Sequence, residues 1–404
     1  MSQYYWPENF RINEVAQSLS AKGVKVEILT GKPNYPVGTV FGGYKEMGCV
    51  EETLNGLRVN RVPIFARGKG STRLALNYIS FILSVVVFGP RLLRGKQFDA
   101  ILVFAPSPIL QAIPAIWIGR LKRCPVLLWV QDLWPESLNA MGQVTNFRIL
   151  NAVESVVRWI YCHVDLLLVQ SKAFIPKVRI LAGKTPVIYH PNSFVDHVAK
   201  SEESFVKCEV FNCAFPILFA GNMGKAQALE VVLEAATQLR NIEGVRFVMA
   251  GDGSCRDWLI QQTNQRGLSN MVFPGCYPVE VMPALMQKAA ALLVTLADKE
   301  IFRLTIPAKV QAYLAAGRPI IACLHGAGAE IVQEAGAGVI VPAEDPSALA
   351  QAVMMLYRMP DKERFEMGSS GRKYFEEHFS HDKLIDKLIG HLDQVVRRHK
   401  GIVL

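Results

Sequence analysis

The residue types that could do chemistry gather at glycine-bearing turns in the second half of the chain. In "PILFAGNMGKAQALEVVLEAA" an apolar run ends in Gly221, Asn222 and Gly224, and a helical pattern follows Lys225. Glycines there let backbone approach a ligand closely, and the N-terminus of the following helix offers free N–H groups to a phosphate. Lys225 adds a point charge. The segment matches neither G-x-x-x-x-G-K-[ST] nor G-x-G-x-x-G, and such glycines also serve packing alone. "FVMAGDGSCRDWL" repeats the arrangement with Gly251 and Asp252, and "FPGCYPVEVMPALM" places Tyr277 where a flat base could lie.

In "EIFRLTIPAKVQAYLAAGRPIIA", Arg303 and Lys309 flank a helix start at Pro307. Two cations at a helix N-terminus suit a departing diphosphate; solvated surface charge is the plainer alternative. In the first half, "LLWVQDLWPESL" sets Asp132 and Glu136 beside two tryptophans. Acids against indole walls can orient sugar hydroxyls, although Asp132 also suits a helix cap. "YHPNSFVD" puts His190 and Asn192 near a hinge.

These turns need elements to hold them. Short Val, Ile and Leu runs alternate with longer amphipathic stretches, which predicts parallel sheets covered on both faces. Strands are expected at 24–30, 57–63, 99–104, 124–131, 164–170 and 185–191. After a polar stretch the alternation restarts, with strands at 216–222, 245–251, 270–275, 291–297, 318–324 and 337–343. The reading is a doubly wound domain over 1–195, a linker at 196–212, a second such domain over 213–378, and a helix at 379–404 that completes the second domain or crosses back to the first. Between the two domains a cleft is expected.

The opening "MSQYYWPENFRINEVAQSL" supplies a ligand-facing loop and a helix, but no apolar strand of about five residues ahead of Gln3. Such a strand normally occupies the centre of the sheet. A recorded start downstream of the natural one is therefore the expectation, with Ser2 to Trp6 pairing as a short strand the alternative.

The 404 residues carry a net charge of +9, and half are hydrophobic, which excludes a single small module and a largely disordered chain. From Thr53 to Phe98 there is no acid, while eight arginines and lysines fall there around "LNYISFILSVVVFGP". That apolar run is read as too short to span a bilayer, and as either a helix resting on an anionic membrane or a buried helix with a basic face. The eight cysteines show no metal-ligand or paired spacing, as in a reduced cytosolic protein.

The ordered set "YYWPENFRINEVAQSL", "VQDLWPES", "YHPNSFVD", "FAGNMGKAQAL", "AGDG", "PAKVQAYLAAGRPI" and "AGAEIVQEAGAGVIVP" resembles family 4 glycosyltransferases of the GT-B fold, nearest to the bacterial surface-polysaccharide type. The resemblance implies an α/β chain of two Rossmann-like doubly wound domains facing across a cleft. It implies retaining transfer from a UDP-sugar, with N-acetyl-L-fucosamine the candidate sugar, to an undecaprenyl-diphosphate-linked saccharide. No metal or cofactor and no nucleic acid is implied. Arg303, Lys309 and Asp132 become the candidate catalytic residues. Gly221, Asn222, Lys225, Gly251, Asp252, Tyr277 and Glu330 fall to the donor, and Trp6, Glu8, Asn9, Arg11, Glu136 and Asn192 to the cleft. The implied location is peripheral, on the cytoplasmic face of the inner membrane. The chain departs from the family in places: the family's pair of glutamates is replaced by Leu304 and Ala312, the usual Arg and Lys of the loop in "GNMGKAQ" by Asn222 and Gln227, and the strand-end imidazole by Gln131. A sugar-nucleotide 2-epimerase and an inactive scaffold are the alternatives, the second favoured by the loss of the glutamates.

Overall fold

A computed structural model describes residues 1–68, 70–140, 144, 146–196 and 208–402. Most of the expected linker, 197–207, lies outside the described residues, as does Lys69 of the basic stretch. The chain forms two compact units, Met1–Pro191 with Asp382–Leu404, and Asn192–His381.

The first unit holds two sheets. β1 (Glu27–Gly31), β2 (Val50–Leu54) and β3 (Leu57–Val62) form one, in the order β1-β3-β2. β2 and β3 are a hairpin turned at Asn55-Gly56, both at positive φ, as a tight two-residue turn requires. β4 (Ile101–Ala105), β5 (Val126–Val130), β6 (Leu166–Val169) and β7 (Val187–Tyr189) form a parallel sheet in chain order. β5 and β6 are buried at every position, which explains their unbroken apolar sequences.

Between β1 and β4 run Met1 to Gln3. The Met1 amino group donates to the Leu102 carbonyl at 2.6 Å and the Phe104 amide to the Met1 carbonyl at 3.1 Å. On the other side the Ser2 amide donates to the Leu29 carbonyl at 3.3 Å and the Gly31 amide to the Gln3 carbonyl at 3.2 Å. Three residues thus bridge the two sheets where the sequence led us to expect either a missing strand or pairing by Ser2 to Trp6. Upstream of that bridge β1 and β4 stay apart.

Helices α1 (Ile12–Ala21), α2 (Ser71–Leu92), α3 (Ala112–Lys122), α4 (Glu136–Ala140), α5 (Phe147–Cys162) and α6 (Phe174–Ala182) belong to this unit, with the C-terminal helix His381–His399. α2 is 22 residues long and contains a 21-residue segment apolar and long enough to cross a membrane, longer than the sequence reading allowed. The reason is a polar first turn and Pro90 carried inside the last turn, which extend the helix beyond the apolar run. One face of α2, with Tyr78, Phe81 and Val85, packs into the unit.

The second unit is one parallel sheet: β8 (Phe215–Ala220), β9 (Val245–Ala250), β10 (Met271–Gly275), β11 (Ala291–Thr295), β12 (Ile320–Cys323) and β13 (Gly338–Val341), in the order β10-β9-β8-β11-β12-β13. Strand order reverses between β8 and β11, and in open α/β sheets the crevice opens there, beyond the strands' carboxyl ends. Helices α7 (Glu230–Gln238), α8 (Arg256–Gln265), α9 (Met282–Lys288), α10 (Glu300–Leu304), α11 (Ala308–Ala316), α12 (Ala327–Glu334), α13 (Pro346–Arg358) and α14 (Asp361–His378) complete the unit.

Backbone packs tightly at the far edge of this sheet, where a Cβ on Gly338 of β13 would lie 1.9 Å from the Ile320 carbonyl oxygen. Gly338→Ala is therefore expected to lower stability by about 1–3 kcal/mol, as overpacking does. Chemical denaturation measures it, and an unchanged midpoint would show that β13 can move aside.

Candidate functional site

The strand reversal places the loop after β8 beside the one after β11. At the end of β8, Gly221 has φ +126°, and a Cβ on Gly251 would stand 2.0 Å from the Gly221 carbonyl oxygen. The β8 and β9 loops are laced together: the Met223 amide donates to the Asp252 carbonyl at 2.7 Å and the Cys255 amide to the Met223 carbonyl at 2.8 Å. Glycine at 251 is a requirement of this close approach. The β8 loop is also tied to β11, since the Thr295 hydroxyl donates to the Gln227 carbonyl at 2.6 Å and the Ala297 amide to the Ala226 carbonyl at 2.9 Å. Gly221 thus sits on a shelf fixed from both sides.

Lys309 reaches that shelf from the first turn of α11. Its ammonium lies 4.3 Å from the centre of the Phe219 ring, and a Cβ on Gly221 would stand 3.2 Å from its Cε. Burial pushes its pKa down to about 8, and among the described residues no carboxylate pairs with it. A desolvated cation is costly unless something compensates it. Here the compensation that the structure shows is the face of the Phe219 ring. The last residue of β8, beside Gly221, is held by the Tyr313 hydroxyl, which accepts from the Ala220 amide at 3.0 Å.

Arg303 stands differently. It is half exposed and donates through Nε and Nη2 to both oxygens of Asp298, each at 2.7 Å. His325 Nδ1 lies 3.1 Å from the same carboxylate, and these two partners hold Asp298 down at about 2. The sequence reading treated Arg303 as a free cation equivalent to Lys309; the structure makes it one arm of an Asp298 fork. A Cβ on Gly326 would meet the Arg303 carbonyl at 1.9 Å, so α12 begins against the end of α10.

Asn222, Lys225 and Asp252 are exposed at the shelf, and the Asp252 carboxylate accepts from the Gly253 amide at 2.8 Å. Tyr277 is half-buried after β10, and Glu330 is exposed in the first turn of α12. Asn192 accepts through its carbonyl from Gln311 of α11 at 2.7 Å. Of the donor candidates, Lys309 and Gly221 meet directly; the Asp298 fork is what sequence reasoning missed.

In the first unit the loops after Gln3, β1, β4 and β5 each contain a cis X-Pro bond, at Pro7, Pro36, Pro108 and Pro135. Glu8 is buried, and its carboxylate accepts from the amides of Asn34 at 2.8 Å, Tyr35 at 2.7 Å and Tyr5 at 3.3 Å. Burial raises its pKa against the opposing pull of those amides. Glu8 therefore fastens the β1 loop to the opening loop. Trp6, half exposed, is held from behind, its amide bonded to Asn13 and its carbonyl to the fully buried Arg61, which pairs with Glu52 at 2.5 Å. Asn9 is exposed and Arg11 half-buried, its pKa lowered by burial. Asp132 is half-buried at the end of β5, where burial raises its pKa, and Glu136 lies 3.8 Å from Lys177.

Lys309 gives a clean stability test. Its folded pKa is below the unfolded value of 10.5, so holding it charged opposes folding fully below about pH 8 and ceases to do so above 10.5. Lys309→Met is expected to be more stable than the parent chain by about 1–3 kcal/mol at pH 7, with the gap closing as pH approaches 10.5. A variant less stable at both pH values would show that the ammonium is compensated within the chain.

Two family descriptions match the chain: "Glycosyl transferase 4-like domain" over residues 9–192 and "Glycosyl transferases group 1" over 214–359. A protein of Escherichia coli K12 described as "Putative colanic acid biosynthesis glycosyl transferase WcaI" is 26% identical over 293 residues, covering 70% of this chain and 71% of that one. "O-antigen chain mannosyltransferase C" of Escherichia coli is 28% identical over 174 residues, 43% of this chain and 44% of that one. Among solved structures, Anabaena HepE in complex with UDP superposes with a TM-score of 0.70 at 14% identity, over 97% of this chain and 98% of that one. Sucrose-phosphate synthase from Thermosynechococcus elongatus gives 0.69 at 16% identity, over 95% and 92%. A 4-like domain followed by a group 1 domain, each on a parallel α/β sheet, makes this chain a member of the GT-B glycosyltransferases of the family 4 type.

Proposed function

We propose that the protein is a retaining glycosyltransferase of bacterial surface-polysaccharide synthesis, moving a sugar from a UDP-sugar to an undecaprenyl-diphosphate-linked saccharide. The observation that carries this reading is Lys309, a half-buried cation with no carboxylate partner among the described residues, packed against Gly221 at the strand reversal. The diphosphate would lie over Gly221, with Lys309 and the α11 N-terminus taking its charge. The kinship with WcaI and the O-antigen mannosyltransferase supports the acceptor class, and HepE's UDP complex supports the donor class. UDP-N-acetyl-L-fucosamine remains the first donor to try.

In this reading the bond from the sugar's anomeric carbon to the diphosphate breaks as one forms to the acceptor oxygen. The acceptor's proton passes to the departing phosphate oxygen, on the same face, so the configuration is retained. Lys309 stabilises the charge developing there. The loss of the family's glutamate pair at Leu304 and Ala312 leaves that role to Lys309 and to Arg303, whose charge Asp298 already shares. The reading asks for no metal.

Attachment to the membrane is assigned to α2. Leu76, Ile79, Leu83 and Val87 are exposed at spacings of three, four and four, a single outward stripe. α3, packed beside α2, adds exposed Trp117 and Leu121, and Arg73, Arg91, Arg94, Arg120 and Arg123 are exposed around them. An apolar stripe rimmed by arginines suits an anionic lipid surface. The inward face of α2 is committed to the unit's core, which favours lying on the bilayer over crossing it.

Labelled sugar should pass from one of a panel of UDP-sugars into lipid extracted from bacterial membranes. Lys309→Ala is expected to lower kcat/KM by about 10²–10³-fold, as loss of a preorganised charge donor does, and Arg303→Ala by about tenfold or less. Equal, small effects of both would remove the leaving-group assignment, and transfer to no lipid from any donor would remove the function.

The purified protein is also expected to bind anionic vesicles and to release them as salt rises. Leu83→Glu with Val87→Glu should lower that binding by about tenfold. Binding indifferent to salt and to both substitutions would detach α2 from the membrane.

A further inference from the structure

The two faces of the first unit's four-stranded sheet differ in what they show to solvent. β4 to β7 follow one another in chain order, so every crossover steps the same way and, being right-handed, sets α3, α5 and α6 on one face. α2 joins that layer beside α3, where Phe81 and Val85 pack with Ile118. The other face is covered by α1 and the C-terminal helix, whose Val15 and Leu388 pack with Leu127 and Trp129 of β5. Large apolar side chains stand exposed on all four helices of the first layer, and on neither α1 nor the C-terminal helix. Beyond the α2 and α3 positions already described, they include Ile149, Val156 and Trp159 on one face of α5, at spacings of seven and three, and Ile180 of α6. Charge divides in the same way. The four helices carry eight arginines and lysines against one acid, Glu154, whereas α1 and the C-terminal helix together carry four of each sign.

We propose that the whole four-helix layer, rather than α2 with the edge of α3, is the lipid-binding face of this unit, so that its sheet lies parallel to an anionic bilayer. The face extends by two helices the contact already assigned to α2, and rests on that reading. Apolar stripes flanked by basic residues bind such a surface through buried area and charge together, and each added helix adds to both. Trp117 and Trp159 supply amphipathic rings suited to the headgroup level, and Trp159 is held by stacking on His163, with ring centres 4.5 Å apart. A second copy of the chain suits the face less well. A twofold interface sets a patch against itself, and here that would oppose charges of one sign. A helix is about 10 Å across, so the sheet would stand about that far above the lipid contact, with its strand ends facing sideways. The loops after β4 and β5, which carry Pro108 and Asp132, then open along the bilayer surface, where a lipid-linked acceptor reaches them without leaving the membrane.

Flotation with vesicles of equal parts phosphatidylcholine and phosphatidylglycerol tests this without any donor or acceptor. Val156→Glu with Trp159→Glu is expected to lower vesicle binding by about tenfold, the effect expected of Leu83→Glu with Val87→Glu on α2. Lys383→Glu, at an exposed site on the C-terminal helix, makes the same change in net charge and should alter binding by less than about twofold. In the unmodified chain, brominated lipid should quench Trp159, read as the quenching that Trp159→Phe removes. Binding that falls only in the α2 variant, with Trp159 unquenched, would overturn the four-helix face and leave the contact to α2. An equal loss in Lys383→Glu would overturn it too, since net charge would then account for the binding. No binding by the unmodified chain would overturn the reading of α2 as well. Self-association without lipid, abolished by the α5 pair, would assign the face to a second copy and overturn the proposal.

Discussion

Much of the second unit is arranged around one cation that has no anionic partner among the described residues. Lys309 is half-buried against Phe219, its pKa pushed to about 8, and no described carboxylate offsets it. A folded chain tolerates such a charge when a ligand supplies the missing partner. Everything that shapes the space beside it is rigid backbone. Gly251 is pressed against Gly221, the β8 loop is bonded to the β9 and β11 loops, and Tyr313 secures Ala220. A shelf that cannot relax keeps the ammonium aimed at whatever anion arrives. Arg303, by contrast, is already satisfied by Asp298, so the two cations that look alike in sequence differ in how much charge each has to give.

The first unit solves a different problem, holding four loops at the ends of strands. Buried polar groups do this. Glu8 fastens two loops through three amides, Arg61 spans Glu52, Gly31 and Trp6, and Gln3 joins Asn77 to Gln111. Each of these bonds is worth more in a low-dielectric interior than at the surface, and each is expensive to leave unmade. The loops can therefore present Trp6 and Asp132 without a core of their own.

Most of the fold was legible in the sequence, because a strand buried on both faces must be apolar throughout. β5 and β6 could be read directly, and so could all six strands of the second sheet, to within a residue or two at their ends. β2 was not, since "VEETL" is half polar, with Glu51 and Thr53 exposed; the Asn55-Gly56 turn behind it was the signal that could have found the hairpin. At the site, Gly221 and Lys309 were visible as types at a strand end and a helix start. Asp298 was not, because five residues before Arg303 it reads as a polar turn and only the folded loop brings the two together. Glu8 was read as facing a ligand; nothing in its neighbourhood in sequence announces the amides of Asn34 and Tyr35 that enclose it.

The central claim is that the Lys309 ammonium waits for a diphosphate, and nuclear magnetic resonance of side-chain-labelled lysine tests it most directly. Titrated alone, the Lys309 signal should move with a pKa near 8. With saturating UDP present, the same signal should titrate well above that value, because a bound anion stabilises the charged form. A signal whose titration is the same with and without bound UDP would contradict the account.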